Sequence, residues 1–343
     1  MLKPVICVLL GDASGVGAEI VVKAFSGTAG LLEQAKVVML GDERVLVCAE
    51  KIIGKSLDYE RICPENIRKN GKDLLLVDTG NVDPEDAPFG KVSPSAGAAV
   101  AADIRTACEF YVKGYIDGIC FAPFNKEAIR RAGNDVASEL ELFRANCTDL
   151  GVELEEDFGE LNVVDGLWTT RVTGHIPLTH LGEYLSFDAI LSMIRLADKS
   201  CRAAGIEVPR IAVAALNPHC GEGGLCGDEE LTMIKPAIEK AKEEGYHIVG
   251  MYSPDTIFVH AFQGEADVAV TMYHDQGQIA LKLKEFSRAV TVLAGFPLPI
   301  GTPAHGTAHD IAGTGTVSES AFVAAFEIIA SQSANFMKQK MTV

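Results

Sequence analysis

The chain has 343 residues, 48% hydrophobic and 22% charged, a composition that fits roughly two folded domains and excludes a disordered chain. Lys and Arg number 30 against 47 Asp and Glu, for a formal charge of −17. That balance excludes a surface built to neutralise nucleic-acid phosphates or to lie on an anionic membrane, and the apolar runs are too short to span one. Of the nine cysteines, Cys7, Cys108, Cys120, Cys147 and Cys201 stand in apolar or helical contexts. They read as reduced core residues of a cytoplasmic protein. Cys220 and Cys226 lie in a glycine-rich loop without zinc-knuckle spacing.

In chain order, short β-branched or apolar runs at 5–10, 37–40, 74–77, 119–122, 211–216, 268–272 and 290–293 predict strands. Helical patterns lie between them at 18–25, 96–113, 126–132, 138–150, 187–204, 229–244 and 320–338. In the last, Phe322, Phe326, Ile329 and Phe336 share roughly one face behind a Thr316-x-x-Glu319 capping signature. Alternation of this kind predicts an α/β fold with a largely parallel sheet. The acidic stretch 152–160 reads as solvated surface. No repeat or linker divides the chain, so the domains are expected to share strands.

Gly11-Asp12-Ala13-Ser14-Gly15-Val16-Gly17-Ala18-Glu19 follows the first strand and opens a helix. Strand, glycine turn and helix N-terminus together favour anions. The spacing is neither the dinucleotide G-x-G-x-x-G nor a P-loop, so alone it reads equally as a tight turn. Three histidines stand just past strand ends: His175 in Thr173-Gly174-His175-Ile176-Pro177, His219 in Asn217-Pro218-His219-Cys220, and His274 in Tyr273-His274-Asp275-Gln276. Ligands of α/β proteins bind there, and three converging imidazoles would make a metal site with positions left for substrate. Singly, each also reads as a hydrogen-bonded loop histidine. The stretch from His305 to Gly315 is dense in Gly, Thr and Asp, which lets backbone approach a ligand closely; alone it also reads as a structural loop.

In order and together, these pieces resemble the 4-hydroxythreonine-4-phosphate dehydrogenase family of pyridoxine biosynthesis. The matching residues are Gly11-Asp12 with Gly15, Gly17 and Glu19; Asn125-Lys126 with Ala132-Gly133; His175-x-Pro177; Leu216-Asn217-Pro218-His219 with Gly221-Glu222-Gly223-Gly224; Pro254-Asp255-Thr256; Met272-Tyr273-His274-Asp275-Gln276-Gly277; Lys282; and His305-Gly306-Thr307-Ala308 with Asp310-Ile311-Ala312-Gly313-Thr314-Gly315. The resemblance implies an α/β, two-domain fold like isocitrate and isopropylmalate dehydrogenases, with largely parallel sheets and a cleft between domains. The first domain would be 1–130 plus 300–343 with the cofactor loop, the second 131–299 with the metal ligands and dimer interface. It further implies a homodimer with a shared active site and one divalent metal on His175, His219 and His274. Neutral imidazoles favour zinc, with cobalt, manganese and magnesium open. NAD or NADP would lie along Gly11, Asp12, His305, Gly306, Thr307, Ala308, Asp310 and Gly313. The implied reaction oxidises a secondary alcohol of a hydroxy carboxylic acid and then loses the carboxylate β to it, with Lys282 and Asp255 in catalytic positions.

On the substrate side the chain departs from the family. The family's Gly-His-Thr-Glu segment reads Ser138-Glu139-Leu140-Glu141 here, its Asn after Lys282 falls on Thr291, and its phosphate-gripping Arg falls on Ile300. Ile lacks the bidentate fork of Arg, and Glu139 would repel a phosphoester. The expectation is therefore a pocket of Glu139, Leu140, Thr291 and Ile300 for a substrate other than 4-phosphohydroxythreonine. An unphosphorylated cis-dihydrodiol carboxylic acid, as in the terephthalate dihydrodiol dehydrogenases, is one such substrate. The alternatives are the biosynthetic dehydrogenase itself, a non-redox metal-dependent hydrolase or lyase, and a non-catalytic metabolite-binding relic.

Overall fold

The computed structural model describes residues 3–28, 30–135 and 138–342. The chain divides into two compact units, Met1–Leu154 with Phe296–Val343, and Glu155–Gly295. The first begins as β1 (Val5–Leu9), α1 (Gly17–Gly27), α2 (Leu31–Gln34), β2 (Lys36–Gly41), α3 (Glu43–Ile53), β3 (Glu60–Arg61), β4 (Leu74–Asp78), α4 (Pro94–Val112), β5 (Gly118–Phe121), α5 (Lys126–Arg131) and α6 (Glu139–Asp149). The second comprises β6 (Gly159–Val164), β7 (Leu167–Arg171), α7 (Leu181–Tyr184), α8 (Phe187–Ala203), β8 (Ile211–Ala214), α9 (Lys235–Glu243), β9 (Ile248–Tyr252), α10 (Ile257–Phe262), β10 (Val268–Thr271), α11 (His274–Glu285) and β11 (Val290–Ala294). The chain then returns to the first unit as β12 (Ile300–Pro303) and α12 (Ser320–Thr342).

The strands of the first unit run β3-β4-β2-β1-β5-β12, and each pairing is parallel. All of β1 is buried, as an unbroken apolar run in a doubly covered parallel sheet should be. Side-chain caps start the helices where the sequence offers them: Asp42, Ser93, Asn125 and Ser138 each accept a first-turn amide. On α12, Phe322 and Phe326 meet Phe25 of α1 edge-on, at 6.3 and 5.4 Å. Residues 131–154 belong to this unit rather than the second, because α6 packs Phe143 against Phe121 of β5 and sets Cys147 Sγ 3.7 Å from Cys108 Sγ of α4. The five cysteines expected in the core are buried and free.

The second unit orders its strands β11-β6-β7-β10-β8-β9. The pairings from β7 to β9 are parallel, while β6 is antiparallel to both its neighbours. Part of the stretch expected to be solvated surface is thus strand: β6 begins at Gly159, and Glu160 is ion-paired with Arg171 of β7. The last helix starts at Ser320, so Thr316 precedes it and its amide donates to Thr314 Oγ1 instead of closing a capping box. Among the described residues, no helix is long and apolar enough to cross a membrane.

Candidate active site

In the first unit, the loops after β1, β5 and β12 meet at the C-terminal ends of adjacent strands. Asp12 donates its amide to Pro123 O (3.1 Å), and Val16 donates to Thr307 O (3.1 Å). Glycine is required at 15, where a Cβ would fall 2.8 Å from the Thr307 Cβ. Glu19, 1% exposed on α1, accepts from the Gly313 and Gly315 amides at 2.7 Å each and so fixes the loop after β12. Asp12 Oδ1 accepts from the Ser14 amide at 2.7 Å. Asp12 Oδ2, Ser14 Oγ and His309 Nε2 are buried without a partner. Burial pushes the Asp12 carboxyl up, against the lowering pull of the Ser14 amide and of His309. Buried acceptors and donors left open in a glycine-rich loop cluster fit the polar groups of a dinucleotide. Gly11, Asp12, His305, Gly306, Thr307, Ala308, Asp310 and Gly313 all lie in these loops. His305 Nδ1 is 2.9 Å from Gly306 O, and Ala308 holds a left-handed φ of 44°.

In the second unit, His175 follows β7 and His274 follows β10, strands that are neighbours. Their ring centroids are 4.9 Å apart. The two loops are laced together: the amides of Val172 and Thr173 donate to Thr271 O and Met272 O, and Thr173 Oγ1 also donates to Met272 O (2.9 Å). His274 Nδ1 is 2.7 Å from Asp275 Oδ1, a contact that orients the ring and engages Nδ1 rather than Nε2. Both imidazoles line a pocket of about 340 Å³ with Tyr273 and Asp275. Two adjacent imidazoles, one oriented by a carboxylate, fit a divalent cation. His219 follows β8 and is exposed; among the described residues, no three His, Cys, Asp or Glu side chains form a metal cage. Of the three expected ligands, then, the structure brings together His175 and His274. Lys282 and Asp255 are exposed, on α11 and before α10. Asp255 lies close enough to the His219 loop that its charge, after burial and Glu230, adds to the upward push on the Cys220 thiol.

The His219 loop has an unusual backbone. His219, Cys220, Gly221, Glu222 and Gly223 all have left-handed φ, from 47° to 74°. For residues with a Cβ this costs on the order of 1–2 kcal/mol each. The turn is followed by a single π-helical turn at Glu230–Ile234. Glu230, 0% exposed, accepts from the Leu216 and Asn217 amides at 2.9 and 2.7 Å and from Asn217 Nδ2 at 3.0 Å. Burial would raise its pKa, but those hydrogen bonds outweigh it and hold the carboxyl below the usual range. Glu19 and Glu230 were given no role by the sequence reading. Glu19 is among the residues that carry the family resemblance, and its place one turn into a glycine-started helix could have suggested an anchoring role; Glu230 carries no local signal.

The expected substrate contacts read differently in the structure. Ile300 is 0% exposed, on β12 opposite Ile119 of β5, so its side chain belongs to the core. Glu139 opens α6 and is ion-paired with Lys126 at 3.1 Å, which offsets the charge thought to repel a phosphoester. Leu140 beside it is half-buried. Thr291 lies on β11, its Oγ1 accepting from Asn162 Nδ2 at 2.9 Å.

A family model described as pyridoxal phosphate biosynthetic protein PdxA matches residues 33–329. A Pseudomonas aeruginosa protein, provisionally named 4-hydroxythreonine-4-phosphate dehydrogenase 2, is 40% identical over 329 residues, covering 95% of this chain and 96% of its own. A Symbiobacterium thermophilum protein, provisionally named D-threonate 4-phosphate dehydrogenase, is 34% identical over 341 residues, 98% of this chain and 99% of its own. The crystal structure of a 4-hydroxythreonine-4-phosphate dehydrogenase from Burkholderia phymatum superposes with a TM-score of 0.80 at 34% identity, covering 97% and 99% of the two chains. The fold is therefore a mixed α/β arrangement with mostly parallel strands, shared with these dehydrogenases. The chain belongs to the PdxA family. The expectation of a substrate other than 4-phosphohydroxythreonine is overturned: the family is one of pyridoxal phosphate biosynthesis and relatives at this identity are named for 4-hydroxythreonine-4-phosphate, while of the four residues behind that expectation Ile300 lies in the core and Glu139 is ion-paired.

Proposed function

We infer that this protein is an oxidoreductase acting as a 4-hydroxythreonine-4-phosphate dehydrogenase. The observation that carries this reading is the family match over residues 33–329. The reaction in this reading is NAD(P)-dependent oxidation of the secondary alcohol, followed by loss of the carboxylate β to the new ketone. When bound, a nicotinamide dinucleotide would supply the hydride acceptor and a divalent cation the Lewis acidity that lowers the hydroxyl pKa.

The chain's own residues do the positioning. The loops after β1 and β12 hold the dinucleotide, with Asp12, Ser14 and His309 offering the open buried polar atoms. His175 and His274 would hold the cation, Asp275 fixing the second ring, with His219 as the third ligand that this reading assigns. Asp255 takes the hydroxyl proton, and Lys282 offers charge and a proton to the enolate left as CO₂ departs. A homodimer sharing the site accords with Ile279 and Leu283, one turn apart on α11, which are 59% and 83% exposed on either side of Lys282.

The test is NADH formation at 340 nm by cobalt- or zinc-loaded protein. 4-Hydroxythreonine 4-phosphate should be turned over, and faster than D-threonate 4-phosphate or any unphosphorylated hydroxy acid. No NADH from the phosphoester, with metal present, would overturn the reading.

A further inference from the structure

We propose that Glu230 is a positioning residue: its buried carboxylate clamps the backbone at Leu216 and Asn217 and holds the following left-handed turn in the one conformation that presents His219. This rests on the functional reading above, in which His219 serves the cation. Five consecutive residues in the left-handed region are not a conformation that the segment would choose, since three of them carry a Cβ. Something outside the turn must fix it, and the contacts converge on one side chain. Glu230 accepts two successive amides at the turn's entry and the Asn217 side chain, whose Nδ2 also reaches Glu229 Oε2 at 2.6 Å. The turn wraps so closely that a Cβ at Gly221 would fall 2.5 Å from Glu230 Oε2, whereas one at Gly223 would meet nothing within 4 Å. The carboxylate itself sits at the start of the π-turn, where an extra residue per turn re-aims a side chain.

Two glycines separate this role from general strain. Both have left-handed φ, 74° at Gly221 and 70° at Gly223, so an alanine is conformationally costly at either. Only at Gly221 does it also push against the clamp. The experiment measures cobalt(II) binding by its visible absorption and calorimetry, hydrogen exchange over 216–227, and steady-state kinetics, on wild type, Glu230→Gln, Glu230→Asp, Gly221→Ala and Gly223→Ala. Glu230→Gln presents an amide NH₂ to N–H donors. It should weaken cobalt binding about 10- to 100-fold and lower kcat/KM alike, with faster exchange confined to 216–227. Gly221→Ala should follow it, Gly223→Ala should lose clearly less, and Glu230→Asp should recover part of the loss. Equal losses in the two alanine variants, or a Glu230→Gln protein with wild-type cobalt affinity, would overturn the proposal. Wild type that binds no cobalt would instead refute the functional reading. If Glu230→Gln fails to fold, the comparison of Gly221→Ala with Gly223→Ala decides alone.

Discussion

Asp103, 7% exposed on α4, holds its proton well above the usual carboxylate range. Burial pushes its carboxyl up to about 7, against the lowering pull of Asn81, whose Nδ2 donates at 2.7 Å. An unfolded Asp titrates near 4, as a rough reference. Between those values the folded protein keeps a proton that the unfolded chain has lost, so stability falls as pH rises through the window and levels off above it. Asp103→Asn stays neutral throughout. In urea melts its stability relative to wild type should rise by about 1–3 kcal/mol between about pH 4.5 and 8. A difference independent of pH would mean that the carboxyl ionises in place. Single residues were unevenly legible in the sequence. His175 and His274 stood out only in company, each inside a motif of the resembling family, since singly such an imidazole also reads as a loop histidine. Ile300 was misread because an apolar residue at an aligned position does not announce whether it faces ligand or core. Glu139 was misread because its neutralising partner, Lys126, lies on another helix.

At the level of elements, short apolar runs and long amphipathic stretches were readable, and each strand and helix predicted is present. Among the elements that escaped, β12 and α11 are formed by composition that argues against regular structure. The strand β12 ends in Gly301, Thr302 and Pro303, and α11 opens on His, Asp, Gln and Gly. Both are held by tertiary partners, β5 for the strand and the Gln276 side chain for the helix entry, where Gln276 Oε1 accepts from Met272 N and Nε2 donates to Ala215 O. The same dependence on distant partners governs the loop after β12. Removing its anchor by Glu19→Ala should leave two amides unpaired, cost about 2–4 kcal/mol of stability and weaken NADH binding roughly tenfold, read by NADH fluorescence. Unchanged NADH affinity in a destabilised variant would show that loop order and dinucleotide binding are separate.

For the molecule as a whole, the exposed pair on α11 gives the clearest prediction. Leu283 at 83% and Ile279 at 59% exposure are costly in water, and a second copy of the chain is the occupant that the functional reading requires. Leu283→Lys with Ile279→Glu should sediment as a monomer with an unchanged far-UV spectrum and little dehydrogenase activity. A wild-type monomer at micromolar concentration would refute the shared site. The domain edges were the least legible feature at this scale, since the packing that assigns α6 to the first unit runs through Phe143 and Cys147, residues that any helix could carry inward.

The chain's route through its two units also sets a timetable. The first unit begins at the N-terminus, yet β12 and α12 return to it only after residue 295, and until then one edge of β5 and the ring of Phe25 lack their neighbours. During synthesis the second unit is complete in sequence while the first is still waiting. The usual order, in which the N-terminal unit matures before the next emerges from the ribosome, is therefore reversed. A chain truncated after residue 295 and released should carry a protease-resistant second unit behind an open, chaperone-binding first one.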